Sequence, residues 1–121
     1  MKAERLLLAV QDIAAMPGLD GCALVEIATG MAWHAVGDMQ ELQQMAEASS
    51  DYWRLYQRSQ QHFDRLGELR AQVMMHRTGR ITMLPCSKGM LLIAISREAD
   101  PVDWGVLQKK TQQLNTVLAD L

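Results

Sequence analysis

The side chains best suited to chemistry in this 121-residue chain are its two cysteines and three histidines. Cys22 and Cys86 form no CxxC pair, and Cys86 has a nearby cation, Lys88, which could make a thiol more reactive. The histidines are far apart in sequence: His34, His62 and His76. No HxxxH or His–Cys spacing gathers three or four metal ligands. We expect no metal site and two core cysteines, with a nucleophilic Cys86 as the alternative.

Neither the carboxylates nor the turns suggest a catalytic arrangement. General acid–base catalysis needs partners held together, and the sequence brings no two carboxylates into one motif. The carboxylates considered are Asp12, Asp20, Glu26 and Asp38. The turns at residues 78–80 and 87–89 lack the GxxxxGK[ST] arrangement of a phosphate loop. We therefore predict no catalytic residues, no cofactor and no enzymatic activity.

Length and composition indicate one folded domain. Hydrophobic residues make up 49% and charged residues 21% of the chain, as in ordinary globular proteins. We expect residues 1–121 to form a single domain. The formal net charge of -2, with scattered basic residues, argues against nucleic-acid binding. The absence of a long apolar run or signal pattern predicts no membrane insertion, and we expect a cytoplasmic protein.

Three helices follow from periodicity and helix-stop signals. Apolar residues recur every three or four positions over residues 2–15 and again over residues 39–63. Pro17 and the glycine after it end the first helix. The third helix is predicted to start at Asp100 as N-cap, with Pro101 at the first helical position.

Five short segments have the character of strands, and they imply one antiparallel sheet. They are residues 22–27, 31–36, 69–77, 80–84 and 90–95. The first and fifth are the most apolar, so we expect them to be neighbours in the centre. The second and third then lie at the edges. The element order is helix-strand-strand-helix-strand-strand-strand-helix.

The third strand is the first candidate for self-association. Its alternation predicts one face with Leu69, Ala71, Val73 and Met75, and another with Arg70, Gln72, Met74 and His76. A proline-free edge of this kind is a template for pairing unless something protects it. A second copy of the chain is the simplest protection. We therefore predict a homodimer that pairs through residues 69–76.

The middle helix carries an unusual stripe of small and aromatic residues. Tyr52, Trp53 and Tyr56 have three interpretations: core, dimer interface or partner surface. Adjacent Tyr52 and Trp53 cannot both face the sheet, so at least one reaches a partner or solvent. The helix residues assigned to the predicted dimer interface are Met45, Ser49, Tyr52, Trp53 and Tyr56.

Two stretches of the chain form a recognisable pattern. A helix runs into Pro-Gly-Leu-Asp-Gly at residues 17–21, followed by an apolar strand and a turn at Gly30. Later, residues 79–85 lead through a Lys-Gly turn into the apolar residues 90–95 and a final helix. Together these stretches resemble the roadblock and dynein light-chain family. The resemblance covers residues 4–120. The second strand departs from the pattern, with Trp33 and His34 where the family has small or polar residues.

The resemblance implies an α+β fold: a three-layer α/β/α sandwich of profilin-like roadblock architecture around a five-stranded antiparallel sheet. The middle helix would lie on one face and the terminal helices on the other. It also implies a homodimer paired through third strands and middle helices, without catalytic residues. Such a protein would regulate or scaffold a small Ras-like GTPase or a larger protein assembly.

One alternative shares the same shape. A small-molecule sensor of PAS- or profilin-like form also combines a sheet with flanking helices. It requires a closed apolar pocket with a few polar groups.

Overall fold

The computed structural model describes residues 2–97 and 102–121. The elements are α1 (Lys2–Ala14), β1 (Gly21–Glu26), β2 (Ala32–Gly37), α2 (Leu42–Ser59), a 3₁₀ segment that we call the connector (Gln60–Leu66), β3 (Gln72–His76), β4 (Gly79–Pro85), a short 3₁₀ turn (Ser87–Gly89), β5 (Met90–Ser96) and α3 (Trp104–Ala119). The order of helices and strands predicted from the sequence is confirmed.

All five strands form one antiparallel sheet in the order β2-β1-β5-β4-β3. Strand β1 pairs with β5 over its whole length, from Gly21 opposite Ile95 to Glu26 opposite Met90. Every residue of β5 is buried, as expected for a strand covered on both faces. The central pair and the two edge strands are therefore as predicted.

Two core clusters lie on opposite faces of the sheet and make the molecule a three-layer sandwich. Alternate strand residues such as Cys22, Leu24 and Leu92 pack beneath α1 and α3. Their neighbours in sequence, such as Ala23 and Ile93, pack beneath α2. Because a strand side chain points to the opposite face at each step, one apolar strand can supply both cores.

The middle helix differs from its prediction at both ends. It begins at Leu42 rather than at residue 39, because Glu41 adopts a left-handed backbone conformation with φ of 63°. The α-helix ends at Ser59, and the connector continues it with a non-helical Phe63 at φ of −116°. The predicted helix is therefore an α-helix followed by a kinked 3₁₀ segment.

The third strand is shorter than predicted. It begins at Gln72, so the alternation expected from residue 69 does not hold at its start. Leu69 packs against the core beneath α2, whereas Ala71 packs against the core beneath α1 and α3. The prediction that these two residues share one face is wrong, because they precede the pleated part of the chain.

The last helix begins at Trp104, and its N-cap is Asp103 rather than Asp100. The Asp103 carboxylate accepts a hydrogen bond from the Val106 N–H at 3.1 Å. Asp100 and Pro101, the predicted cap and first helical residue, lie outside the described residues. The carboxylate that caps the helix is therefore three positions later in the sequence than predicted.

Candidate interaction surface

The two edges of the sheet differ in how they are protected. Strand β2 packs against both α1 and α2. Its Ala32 N–H donates to the Glu47 carboxylate of α2 at 2.8 Å. A register shift against β1 leaves Trp33 as an extra, unpaired residue. The covering helices, the hydrogen bond that occupies the Ala32 N–H group and the bulge each discourage β2 from pairing with another strand.

Strand β3 has no comparable cover, and its main packing is with β4. The side chains of Val73 and Met75 are 42% and 72% exposed. A two-residue turn joins β3 to β4, with His76 opposite Gly79. In an antiparallel ladder alternate residues turn their N–H and C=O groups outward; counting from this turn, we expect these to be Val73 and Met75. The β3 edge is thus a short strand with exposed apolar side chains.

One flank of α2 faces the same edge. On the β2 side of the helix, the Arg54 guanidinium donates to the Ile27 carbonyl at 2.9 Å, and Glu47 binds β2 as described. With 3.6 residues per turn, Met45, Tyr52 and Tyr56 lie on the flank turned the other way, toward β3. We call this flank and the β3 edge together the β3-side surface.

One of the two adjacent aromatic residues of α2 is buried and the other is exposed, as the sequence predicted. Trp53 is 4% exposed and belongs to the core beneath the helix, whereas the neighbouring Tyr52 is 51% exposed. Ser49 is also buried, and its hydroxyl donates to the Met45 carbonyl at 2.6 Å. Ser49 and Trp53 were predicted as interface residues. The structure places both within the chain's own interior, so we assign them to the core.

A groove of about 460 Å³ adjoins this surface at the N-terminal end of α2. Its apolar wall includes Met39, Met45 and Ile81. Arg80 and Arg97 also line it. The groove lies between α2 and the β3–β4 turn, and we call it the α2 groove.

The connector borders the other end of the surface. Phe63 stacks on Tyr56 with ring centroids 5.1 Å apart and an interplanar angle of 17°. Leu66 is 82% exposed and Phe63 is 40% exposed. The connector therefore carries two apolar side chains that its own core does not cover. The sequence prediction placed the first four residues of this segment, 60–63, in the helix before it.

The chemical environment of Cys86 does not favour a nucleophile. Burial raises the pKa of the Cys86 thiol from 9.0 to about 12, and it does the same for Cys22. The Lys88 ammonium group donates to the Leu121 carbonyl at 3.1 Å. A thiolate is the reactive species, and at neutral pH both thiols are held protonated.

Residues 2–97 and 102–121 contain no group of three or more histidine, cysteine or acidic side chains placed to hold a metal ion. In the same part of the chain, none of the helices combines the length and apolarity needed to cross a bilayer.

A second groove, of about 300 Å³, lies between α3 and the residues before β3. It opens to solvent, and charged or amide side chains line much of it: Glu68, Arg70, Gln108 and Gln112. This groove is unlike the closed apolar pocket that a PAS-like sensor requires.

Comparisons with known proteins show which solved structures share this architecture. No family model matches the chain, and no curated protein matches it in sequence. Solved structures do match. A Roadblock/LC7 domain from Streptomyces avermitilis is 17% identical and superposes with a TM-score of 0.73, covering 96% of this chain and 93% of that chain.

Two MglB structures are similar to the same degree. MglB from Myxococcus xanthus is 12% identical with a TM-score of 0.74, covering 96% of this chain and 93% of that one. MglB in a tetrameric arrangement is 13% identical with a TM-score of 0.77, covering 98% and 91%. The resemblance drawn from the sequence is thus confirmed by the architecture, and the chain has the roadblock/LC7 fold.

Proposed function

We propose that this chain is a non-catalytic interaction module that forms a homodimer through β3 and regulates or scaffolds a small Ras-like GTPase or a larger protein assembly. The observation that carries the dimer is the contrast between the two sheet edges. Strand β2 contains a bulge, is covered by α1 and α2, and has its Ala32 N–H group hydrogen-bonded to Glu47. Strand β3 presents an open edge beside the apolar flank of α2. Pairing two β3 strands would join the sheets into one of ten strands.

One further observation supports a partner at this edge. The tetrameric MglB structure is an example of a protein with this fold that assembles.

A strand of five residues is too small to hold two proteins together by itself. Stable interfaces bury about 800 Å² on each partner. The β3-side surface supplies more, because Met45, Tyr52 and Tyr56 add apolar area along α2. The side chains of Val73 and Met75 add to it on the opposite face of the sheet. We therefore include Leu69, Arg70, Ala71, Gln72, Val73, Met74, Met75 and His76 with these three helix residues in the proposed interface.

The dimer is tested by removing one outward N–H group. Met75 is 72% exposed, so Met75→Pro changes little of the core but removes a backbone donor from the edge. We expect Met75→Pro to be monomeric and Met75→Ala, which keeps the N–H group, to stay dimeric. Circular dichroism and urea unfolding establish that both variants fold. A folded Met75→Pro that dimerises as tightly as wild type would refute pairing through β3.

The proposal of a partner beyond the dimer rests on the resemblance to the roadblock family. The test is capture on the purified dimer from extract of its native cell, followed by GTP hydrolysis assays with any small Ras-like GTPase recovered. We expect such a GTPase or a multi-protein assembly to be retained. Recovery of nothing beyond the chain itself would count against a regulator or scaffold.

A further inference from the structure

We propose that the connector of one copy docks into the α2 groove of a second copy, and that this reciprocal contact decides which chains pair. The inference rests on the proposed β3 dimer and adds the element that would make it selective. The occupant of the groove is thus the Gln60–Leu66 segment of the partner.

The direction of α2 over the sheet is the first step. At the helix start, Leu42 packs so closely over Gly21 that a Cβ there would lie 2.9 Å from the leucine Cδ2. Near the helix end, the Arg54 guanidinium reaches the Ile27 carbonyl. The helix therefore runs parallel to β1, from the start of that strand to its end.

The strand pairing relates the direction of α2 to that of β3. The start of β1 pairs with Ile95 at the end of β5, which pairs with Ile81 near the start of β4. The start of β4 pairs with His76 at the end of β3. The α2 groove therefore lies at the His76 end of β3. The connector, which follows the other end of α2, lies toward the Gln72 end.

Two-fold symmetry brings the connector and the groove together. When identical strands pair antiparallel about a two-fold axis, the start of each strand lies beside the end of the other. The Gln72 end of one copy then meets the His76 end of its partner. Each connector is placed beside the partner's groove, and the contact occurs twice in the dimer.

The two surfaces match in polarity. The groove offers Met39 and Met45, whose flexible thioether side chains adapt to an inserted group. The connector offers Leu66 and Phe63, which its own core leaves exposed. Stacking on Tyr56 holds the Phe63 ring in place, so less conformational freedom is lost on docking.

Charge does not distinguish the partner here. The Arg80 guanidinium lies over the Trp104 ring of α3, and the Arg97 guanidinium lies 3.6 Å from the Asp20 carboxylate. Within the connector Asp64 is followed directly by Arg65, so the segment carries no acidic excess. The docking therefore rests on the apolar contact and on the symmetry.

Self-selection follows from the symmetry. A homodimer contains the contact twice, whereas a mixed pair with another protein of this fold keeps it only where that protein supplies the same connector or groove. A change in either element therefore weakens the homodimer through both copies. The contact would favour self-pairing even if other chains expose a similar β3 edge.

Crosslinking between two differently marked chains tests the placement. Chains carrying Leu66→Cys are mixed with chains carrying Met39→Cys and treated with a short bismaleimide. Wild type, which contains Cys22 and Cys86, gives the background level of crosslinking. We expect a crosslinked dimer from this mixture and none when Leu8→Cys replaces Met39→Cys, since Leu8 lies on the outer face of α1.

The outcomes separate this inference from the proposed dimer. A mixture that is dimeric by mass but yields no crosslink beyond the Leu8→Cys control overturns the docking and leaves the β3 dimer standing. A wild-type chain that is monomeric by mass refutes the dimer, and the docking fails with it.

Affinity gives a second measurement. Leu66→Ala should weaken the homodimer at least about tenfold, because two docked leucines are lost per dimer. Leu55→Ala is the matched control, since Leu55 is 53% exposed and faces away from the sheet on α2. It should change the dimer Kd less than about threefold. Equal effects of the two substitutions would overturn the docking.

Discussion

Replacing the adjacent aromatic residues of α2 one at a time tests how this helix divides between core and surface. Trp53 is 4% exposed, and Tyr52 is 51% exposed. We expect Trp53→Ala to destabilise the fold severely and Tyr52→Ala to leave the single chain nearly unchanged. The two substitutions sit on the same helical turn, so helix propensity affects them alike.

The magnitude follows from burial. A tryptophan side chain buries about 150–250 Å², and at about 25 cal/mol per Å² this gives an upper range of about 4–6 kcal/mol. Truncations of buried aromatic residues cost about 3–5 kcal/mol, because the cavity closes only in part. We expect Trp53→Ala to lower the free energy of unfolding by about 4 kcal/mol, and Tyr52→Ala by about 1 kcal/mol or less.

Urea unfolding measures both values. The substitutions are made in the Met75→Pro background and followed at two protein concentrations, because dimerisation would otherwise add to the apparent stability. Concentration-independent midpoints show that the single chain is being measured. A loss below about 1 kcal/mol for Trp53→Ala, or equal losses for the two residues, would refute the assignment of Trp53 to the core.

Three further predictions concern the backbone, a helix cap and a buried thiol. Gly37→Ala should lower the free energy of unfolding in urea by at least about 2 kcal/mol, because the added Cβ would lie 2.6 Å from the Asp20 carbonyl oxygen. The control Gly67→Ala should lower it by about 1 kcal/mol, because Gly67 also has positive φ but no atom lies within 4 Å of its added Cβ. Asp103→Ala should cost about 1 kcal/mol in the same assay, and Asp103→Asn much less. For Cys86, the folded chain keeps the thiol proton up to a pKa of about 12, whereas the unfolded thiol loses it near 9.0. The free energy of unfolding should therefore fall as the pH rises above 9.0, and fall less in Cys86→Ala; an unchanged pH dependence would contradict this burial.

Much of the fold could be predicted because a few segments have unambiguous patterns. The run from Met90 to Ile95 is short and apolar at every position, which is typical of a strand covered on both faces. Pairing it with the other apolar strand fixed the centre of the sheet, and the two less apolar strands were left for its edges. The helices of the two outer layers followed from apolar residues every three or four positions.

The errors arose where local geometry overrides the pattern. Glu41 adopts positive φ without being glycine, so nothing in its residue type signals that α2 begins only after it. The residues from Leu69 to Ala71 alternate like a strand but lie before the first pairing of β3. In both cases the backbone conformation depends on tertiary packing that a sequence window does not contain.

The candidate surface was only partly accessible to sequence reasoning. The exposed β3 edge followed from its place at the end of the sheet. The burial of Trp53 could have been found, since it continues the spacing of Leu42, Ala46 and Ser49 on one helical face. The α2 groove could not, because its walls come from α2, the β3–β4 turn and the end of β5, which are far apart in sequence.

The mass of the protein in solution tests the central claim most directly. Sedimentation equilibrium at micromolar concentration should give wild type and Met75→Ala twice the 13.6 kDa of a single chain, and Met75→Pro the single-chain mass. A wild-type chain that remains at 13.6 kDa under these conditions would contradict the proposal that β3 is completed by a second copy.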